Sequence, residues 1–180
     1  MLSEKDASSL LTIAREAITH LVKGEDYRPA PREEKALVQK SGCFVTIKQD
    51  GRLRGCIGSF QTERPLFQEV AAMAVASASK DPRFHPMEEE ELGNFHLEIS
   101  VLSPLEKIEE IEQIEVGTHG IYIEKNFSRG VLLPQVATDY GWDRVTFLQQ
   151  TCLKAGLPTT AWQAPDADIY IFSAQIISEK

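Results

Sequence analysis

The densest group of residues able to do chemistry is the run Leu53-Arg54-Gly55-Cys56-Ile57-Gly58-Ser59. Side chains alternate along an extended strand, so Arg54, Cys56 and Gly58 share one face and Leu53, Gly55 and Ile57 the other. A guanidinium is thereby expected beside a thiol. A nearby cation favours the thiolate, the nucleophilic form, whereas apolar surroundings leave the sulfur inert. Two readings of Cys56 stand side by side: an activated nucleophile supported by Arg54, or a small core residue. Glycine inside a strand costs stability and occurs at a bulge, or where a ligand or another backbone approaches closely. Arg54, Gly55, Ile57 and Gly58 are therefore candidate ligand-binding positions around Cys56.

His119, in Gly117-Thr118-His119-Gly120, is the candidate base for such a nucleophile, because imidazole titrates near neutrality and the flanking residues let a turn present it. The alternative is a solvated turn histidine, and sequence gives no distance between Cys56 and His119. Asp81-Pro-Arg83-Phe84 offers a carboxylate and a forked guanidinium that suit a ligand carboxylate or phosphate, or equally a salt bridge anchoring the loop. Cys152 reads as packing among Phe147, Leu148 and Leu153, and Trp142 and Trp162 as core fillers or pocket walls. No zinc, EF-hand or facial-triad spacing occurs, so no metal is expected. Walker A, G-x-G-x-x-G, G-x-S-x-G and H-E-x-x-H patterns are also missing, and no cofactor is expected.

Several elements must position these residues. Apolar residues at 10, 13, 14, 17, 18 and 21 predict a helix over 3–22, with Ser3 and Asp6 as caps and Gly24 as its stop. Pro29 and Pro31 make 25–32 an extended link. Two strand runs around Gln49-Asp50-Gly51 predict a hairpin that carries Cys56 in its second strand. A helix over 62–79 follows, with Thr62 as cap and a small-residue run, Ala71 to Ala76, that permits close packing. Pro82 and Pro86 then enforce a shaped loop. Alternation over 95–102 predicts a strand, and the Glu-rich 106–115 a connector. A second hairpin runs over 121–133 with Pro134 ending it, then a helix over 143–155, and one last strand over 169–177. Arg-Gly recurs just past both hairpin turns, at 54–55 and 129–130, which hints at two related halves.

With 180 residues the chain is long enough to bury a sizeable core in one domain or two closely packed subdomains. Nineteen Lys and Arg against 27 Asp and Glu give a net charge of −8, which argues against nucleic acid and anionic lipid as partners. Three cysteines without a C-x-x-C motif suit a reducing compartment. The acidic start of the chain is unlike a signal peptide and no apolar run is long enough for a membrane span, so the expected location is cytoplasmic.

The signature Leu53-Arg-Gly-Cys-Ile-Gly58 resembles the six-residue motif of the AMMECR domain family. Further resembling segments are Gly42-Cys-Phe-Val-Thr, Pro65-Leu66, Asp81-Pro-Arg-Phe84, Leu97-Glu-Ile-Ser-Val-Leu-Ser-Pro104, Gly120-Ile121, Arg129 to Ala137, Thr151 to Pro158 and Ala161-Trp162. Together they span about residues 10–177. Ser59 stands where many relatives have Thr, which keeps the hydroxyl. The resemblance implies an α+β protein of two unequal, intimately packed subdomains with largely antiparallel sheets and the signature strand near a groove between them. Subdomains of about 40–105 and 106–180 are expected, the N-terminal helix packing on one of them. Microbial members resemble protein A of the AmmeMemoRadiSam system, which implies a Memo-like protein and a radical S-adenosylmethionine protein as partners. The resemblance carries no settled activity.

Overall fold

The computed structural model describes residues 2–179. Two compact units emerge: one runs from the N-terminus to Leu102 and resumes at Gln175, the other comprises Ser103–Ala174. Each sheet of this α+β chain has four strands and is antiparallel.

In the first unit α1 (Glu4–Val22) starts at a reciprocal cap: the Asp6 N–H donates to Ser3 Oγ and the Ser3 N–H to Asp6 Oδ2. Its apolar stripe, Leu10, Ile13, Ala14, Ala17 and Ile18, is buried, and Gly24 follows at φ +70. The short α2 (Lys35–Val38) has no periodic signal in the sequence. β1 (Cys43–Gln49) and β2 (Arg52–Ser59) form the expected hairpin, turning through Asp50 and Gly51, both at positive φ. Their register runs Ile47 opposite Gly55 and then Lys48 opposite Leu53, so Arg54 is the extra residue of a β-bulge.

Helix α3 (Leu66–Ser79) begins four residues later than the pattern from Thr62 suggests. Proline disfavours helical backbone at the residue before it, so Pro65 bars the helix from Arg64 and becomes its cap position. The Thr62 hydroxyl instead accepts the Arg64 N–H and donates to Glu69. After a one-turn 3-10 segment at Glu89–Gly93, β3 (His96–Leu102) pairs antiparallel with β1. α1 packs on α3 and β3, and α3 lies against β1 and β2. The core gathers Leu10, Ile13, Ile18, Leu37, Val45, Ile47, Val70 and Ile99.

In the second unit β4 (Glu106–Lys107) and a short 3-10 turn at Ile111–Gln113 are the only regular elements of the Glu-rich connector among the described residues. β5 (Gly120–Lys125) and β6 (Ser128–Leu132) make the second hairpin. Pro134 both ends β6 and opens α4 (Pro134–Asp139), a helix hidden from sequence because proline is equally suited to a first helical turn. α5 (Arg144–Lys154) is capped by Asp143, whose Oδ1 accepts the Thr146 N–H at 2.8 Å. β7 (Asp168–Phe172) completes a sheet of order β4-β7-β5-β6. Ile114, Ile121, Ile123, Phe147, Leu148 and Cys152 form its separate core.

The expected last strand is two strands. Ser173 breaks the run, and β8 (Ala174–Ser178) joins the first sheet, whose order is β2-β1-β3-β8. At that break the Ser103 N–H donates to the Ser173 carbonyl at 2.8 Å and the Ser173 N–H to Ser103 Oγ at 2.9 Å. Period-two apolarity cannot show a change of sheet, because both strands present the same alternation.

A Cβ at Gly55 would overlap the Ser77 carbonyl oxygen of α3. Gly55→Ala is therefore expected to lower stability by about 1–3 kcal/mol, read as a lower denaturant midpoint with an unchanged slope.

Candidate functional site

The bulge in β2 settles the direction of Arg54. Its Nε donates to Glu91 Oε1 at 2.6 Å and its Nη2 to Glu91 Oε2 at 3.0 Å and to the His85 carbonyl at 2.9 Å. The guanidinium carbon stands 5.7 Å from the centre of the Phe84 ring. Arg54 thus clamps the loop after α3 onto the strand instead of lying along the face of Cys56, which corrects the strict alternation read from sequence. A bulge inserts one residue and re-aims it. The bidentate pair with Arg54 holds the Glu91 carboxyl below its usual range. Arg54 Nη1 is buried and has no hydrogen-bond partner among the described residues.

The cation tied to Cys56 is Arg83, through Asp81 and the Cys56 backbone amide. Asp81, buried, accepts four hydrogen bonds: Arg83 Nη2 at 2.6 Å and the Cys56 N–H at 2.9 Å on Oδ2, Arg83 Nε at 2.9 Å and the Arg83 N–H at 3.1 Å on Oδ1. The Arg83 side chain holds this carboxyl well below the ordinary range, against the opposing effect of burial, with help from the Cys56 amide. Arg83 is in turn raised, chiefly by its side-chain hydrogen bond to Asp81. Its side chain is 54% exposed and lies over Phe84, 5.5 Å from the ring centre. Cys56 is half-buried, and its Sγ accepts a hydrogen bond from Thr46 Oγ1, across the hairpin, at 3.2 Å.

The close approach that the glycines permit is made by the protein itself. Besides the Ser77 carbonyl at Gly55, the Phe44 ring and Cys43 carbonyl fill the space at Gly58. The buried Ser77 hydroxyl donates to the Val45 carbonyl at 2.7 Å and accepts the Ile57 N–H at 2.8 Å, tying α3 to both strands of the hairpin. Arg54, Gly55, Cys56, Ile57, Gly58, Asp81, Arg83 and Phe84 are thus assembled within one unit.

His119 belongs to the other unit, where its turn occupies it: Nδ1 accepts the Glu115 N–H at 3.1 Å and stands 3.2 Å from the Gln113 carbonyl. Cys152 is fully buried, its thiol pushed up by that burial. Trp142 and Trp162 pack against the second core, Trp142 also stacking on Tyr140 at 4.9 Å. Sequence reasoning missed Thr46, Ser77 and Glu91. Ser77 had one signal, a hydroxyl in an otherwise apolar small-residue stretch; Glu91, one of four consecutive Glu, had none.

A family model described as AMMECR1 matches residues 11–177, the whole of the signature strand and the loop that clamps it included. The chain belongs to the AMMECR1 family. Protein MK0488 of Methanopyrus kandleri is 40% identical, with 99% of this chain and 91% of that protein covered. Protein NEQ441 of Nanoarchaeum equitans is also 40% identical, over 95% and 99% of the two chains. The crystal structure of the uncharacterized protein PH0010 from Pyrococcus horikoshii superposes with a TM-score of 0.83 at 40% identity, covering 95% of this chain and 90% of that one. No helix among the described residues of this AMMECR1 chain is long and apolar enough to cross a membrane.

A carboxyl depressed in the folded state stabilises the fold fully above its unfolded pKa of about 4, and that contribution is lost as pH falls toward the lower folded value. Asp81→Asn is expected to lower the thermal midpoint near neutral pH, with the gap to the native protein narrowing below about pH 4. Melting curves followed by circular dichroism across that range check it; a gap constant with pH would contradict the assigned role of Asp81.

Proposed function

We propose that this AMMECR1 protein is a binding module whose recognition face is β2 with the Asp81–Phe84 loop, and that it works together with a Memo-like protein and a radical S-adenosylmethionine protein. The observation that carries the reading is the buried, unpartnered Arg54 Nη1 in a site whose other charges are matched. Leaving a buried donor unsatisfied costs about 1–3 kcal/mol, so an acceptor supplied by a ligand or a partner peptide is worth that much to the complex. Half-exposed Arg83, Phe84 and Cys56 frame the same face and offer charge, an aromatic surface and a polarisable sulfur. The acceptor is a carboxylate, phosphate or peptide carbonyl, the groups that guanidinium hydrogen-bonds best.

A second reading, a small-molecule enzyme with Cys56 as nucleophile, is favoured by the half-buried sulfur with the Thr46 hydroxyl on it and by the Asp81–Arg83 pair on the Cys56 amide. Arg83, joined to the Cys56 amide through Asp81, then fills the supporting role that spacing alone suggests for Arg54.

Titration calorimetry of the purified protein against each of the two partner proteins separates the readings. Binding is expected to weaken by about tenfold in Arg54→Lys, which keeps the charge but loses the fork, and to stay within about twofold in Cys56→Ser. Binding untouched by Arg54→Lys overturns the recognition face. Intact binding in Cys56→Ser combined with loss of genetic complementation favours the enzyme.

A further inference from the structure

The first sheet ends in a strand that has a neighbour on one side only. In the order β2-β1-β3-β8, β8 pairs with β3 and leaves its other edge open. The Glu179 N–H donates to the Leu97 carbonyl of β3 at 3.1 Å. Successive residues of a strand turn their backbone groups to opposite sides, so Ala174, Ile176 and Ser178 direct theirs away from β3. Among the described residues nothing accepts from the outward N–H of Ile176 or Ser178. Natural sheets blunt such edges with charged side chains, prolines, bulges or very short strands. The other three edges here are blunted in these ways. β2 has its bulge and the Cys56 amide taken by Asp81, β4 is two residues long, and β6 carries Arg129. β8 reads Ala-Gln-Ile-Ile-Ser, without charge or proline, and Ile176 is 46% exposed. An edge left in this state is a template for another strand.

The groove beside this edge sets what can pair with it. α1 and the end of β8 bound a hollow of about 810 Å3, with Ala7, Leu11 and Ile177 as its apolar wall. Its lining follows α1 from Glu4 to Glu16, a rise of about 18 Å, which is the span of a five- or six-residue strand. A strand added to β8 lays alternate side chains against α1, the arrangement in which an edge strand supplies main-chain hydrogen bonds and adjoining pockets select side chains. The charges then discriminate among occupants. Arg15 is neutralised by Glu179, to which its Nε and Nη2 donate at 2.7 and 2.6 Å. Glu4 has no cationic partner among the described residues, and Glu16 accepts the neutral Tyr27 hydroxyl at 2.8 Å and keeps its charge. One carboxylate therefore stands at each end of an apolar stretch. A second copy of this chain, paired through its own β8, brings Gln175, Ile177 and Glu179 to the groove and adds a like charge. Basic side chains flanking apolar ones complement it instead.

We infer that β8 and α1 bind an extended segment of a partner protein as an added strand, its groove-facing side chains running basic, apolar, apolar, basic. The inference is separate from the reading of the Cys56 face, which lies on β2 at the opposite edge of the sheet.

The test is calorimetry of the intact protein with the end-blocked peptide Lys-Thr-Val-Thr-Val-Thr-Lys, followed by amide hydrogen exchange on the complex. One peptide is expected to bind per chain, with slowed exchange at Ile176 and Ser178. Ile176→Pro removes the central outward N–H, leaves every charge in place and is of a kind that edge strands tolerate. It is expected to abolish binding. The Glu4→Gln, Glu16→Gln double variant, both positions exposed, is expected to bind about tenfold more weakly, and Glu-Thr-Val-Thr-Val-Thr-Glu not at all. The inference is overturned if the basic peptide fails to bind at that stoichiometry, or binds without slowing exchange in β8. Binding within about twofold of native by the double variant, or by folded Ile176→Pro, overturns it as well. Should Ile176→Pro unfold, the double variant and the exchange pattern decide. Dimerisation of the protein alone through β8, seen as slowed exchange there in the dimer, overturns it in favour of a second copy.

Discussion

The candidate site depends on one helix touching one hairpin without a side chain between them. Where the Ser77 carbonyl meets Gly55, α3 comes close enough for the Ser77 hydroxyl to enter the hairpin and join the Val45 carbonyl to the Ile57 N–H. A methyl group at position 55 would push the helix outward and break both hydrogen bonds. Because the Asp81 loop leaves directly from the end of α3, the same contact fixes where that carboxylate meets the Cys56 amide. The second unit repeats the device. A Cβ at Gly130 would lie 2.6 Å from the Ala155 nitrogen and 2.7 Å from the Thr151 carbonyl at the end of α5. Both hairpins thus carry Arg-Gly in the second strand, with the glycine under the last turn of a later helix, α3 in the first unit and α5 in the second.

Electrostatics then fastens the loop to the strand in two places. Asp81 reaches the Cys56 amide while held by Arg83, and Arg54 reaches Glu91 and the His85 carbonyl. The edge strand of a sheet normally offers unpaired backbone donors to any passing chain. Here the Cys56 amide at the edge strand β2 is occupied by a carboxylate of the same molecule. What is left available is side-chain chemistry: half-exposed sulfur, guanidinium and aromatic ring.

Local signals in the sequence were sufficient wherever a local cause decides structure. Ser3 and Asp6 cap α1, Asp50-Gly51 turns the first hairpin, and Asp143 caps α5, as their residue types require. The signature run and Asp81, Arg83 and Phe84 were legible as one candidate set, since glycines beside a cysteine and a proline-locked loop are unusual on their face. The partner of Arg54 was not legible, because a bulge is a mismatch between two strands and shows in neither alone. Ser77 acts through its hydroxyl, a faint signal in an apolar stretch, and through its carbonyl, which every residue has and only proximity reveals. The change of sheet at Ser173 was equally silent.

That change of sheet makes the second unit an insert within the first. Its two ends are held side by side where Ser103 and Ser173 exchange hydrogen bonds. An insert whose entry and exit coincide imposes little strain on its host, because the host sees it as a closed loop whatever its contents, and loop closure grows only slowly more expensive with length. The arrangement also delays completion of the host: β8 emerges only after the entire insert, so the sheet carrying the signature strand is closed by distant pairing, the slow kind of step in folding. Excision at this serine seam, with a short bridge in place of the insert, is the cut along which evolution or design can separate the two halves.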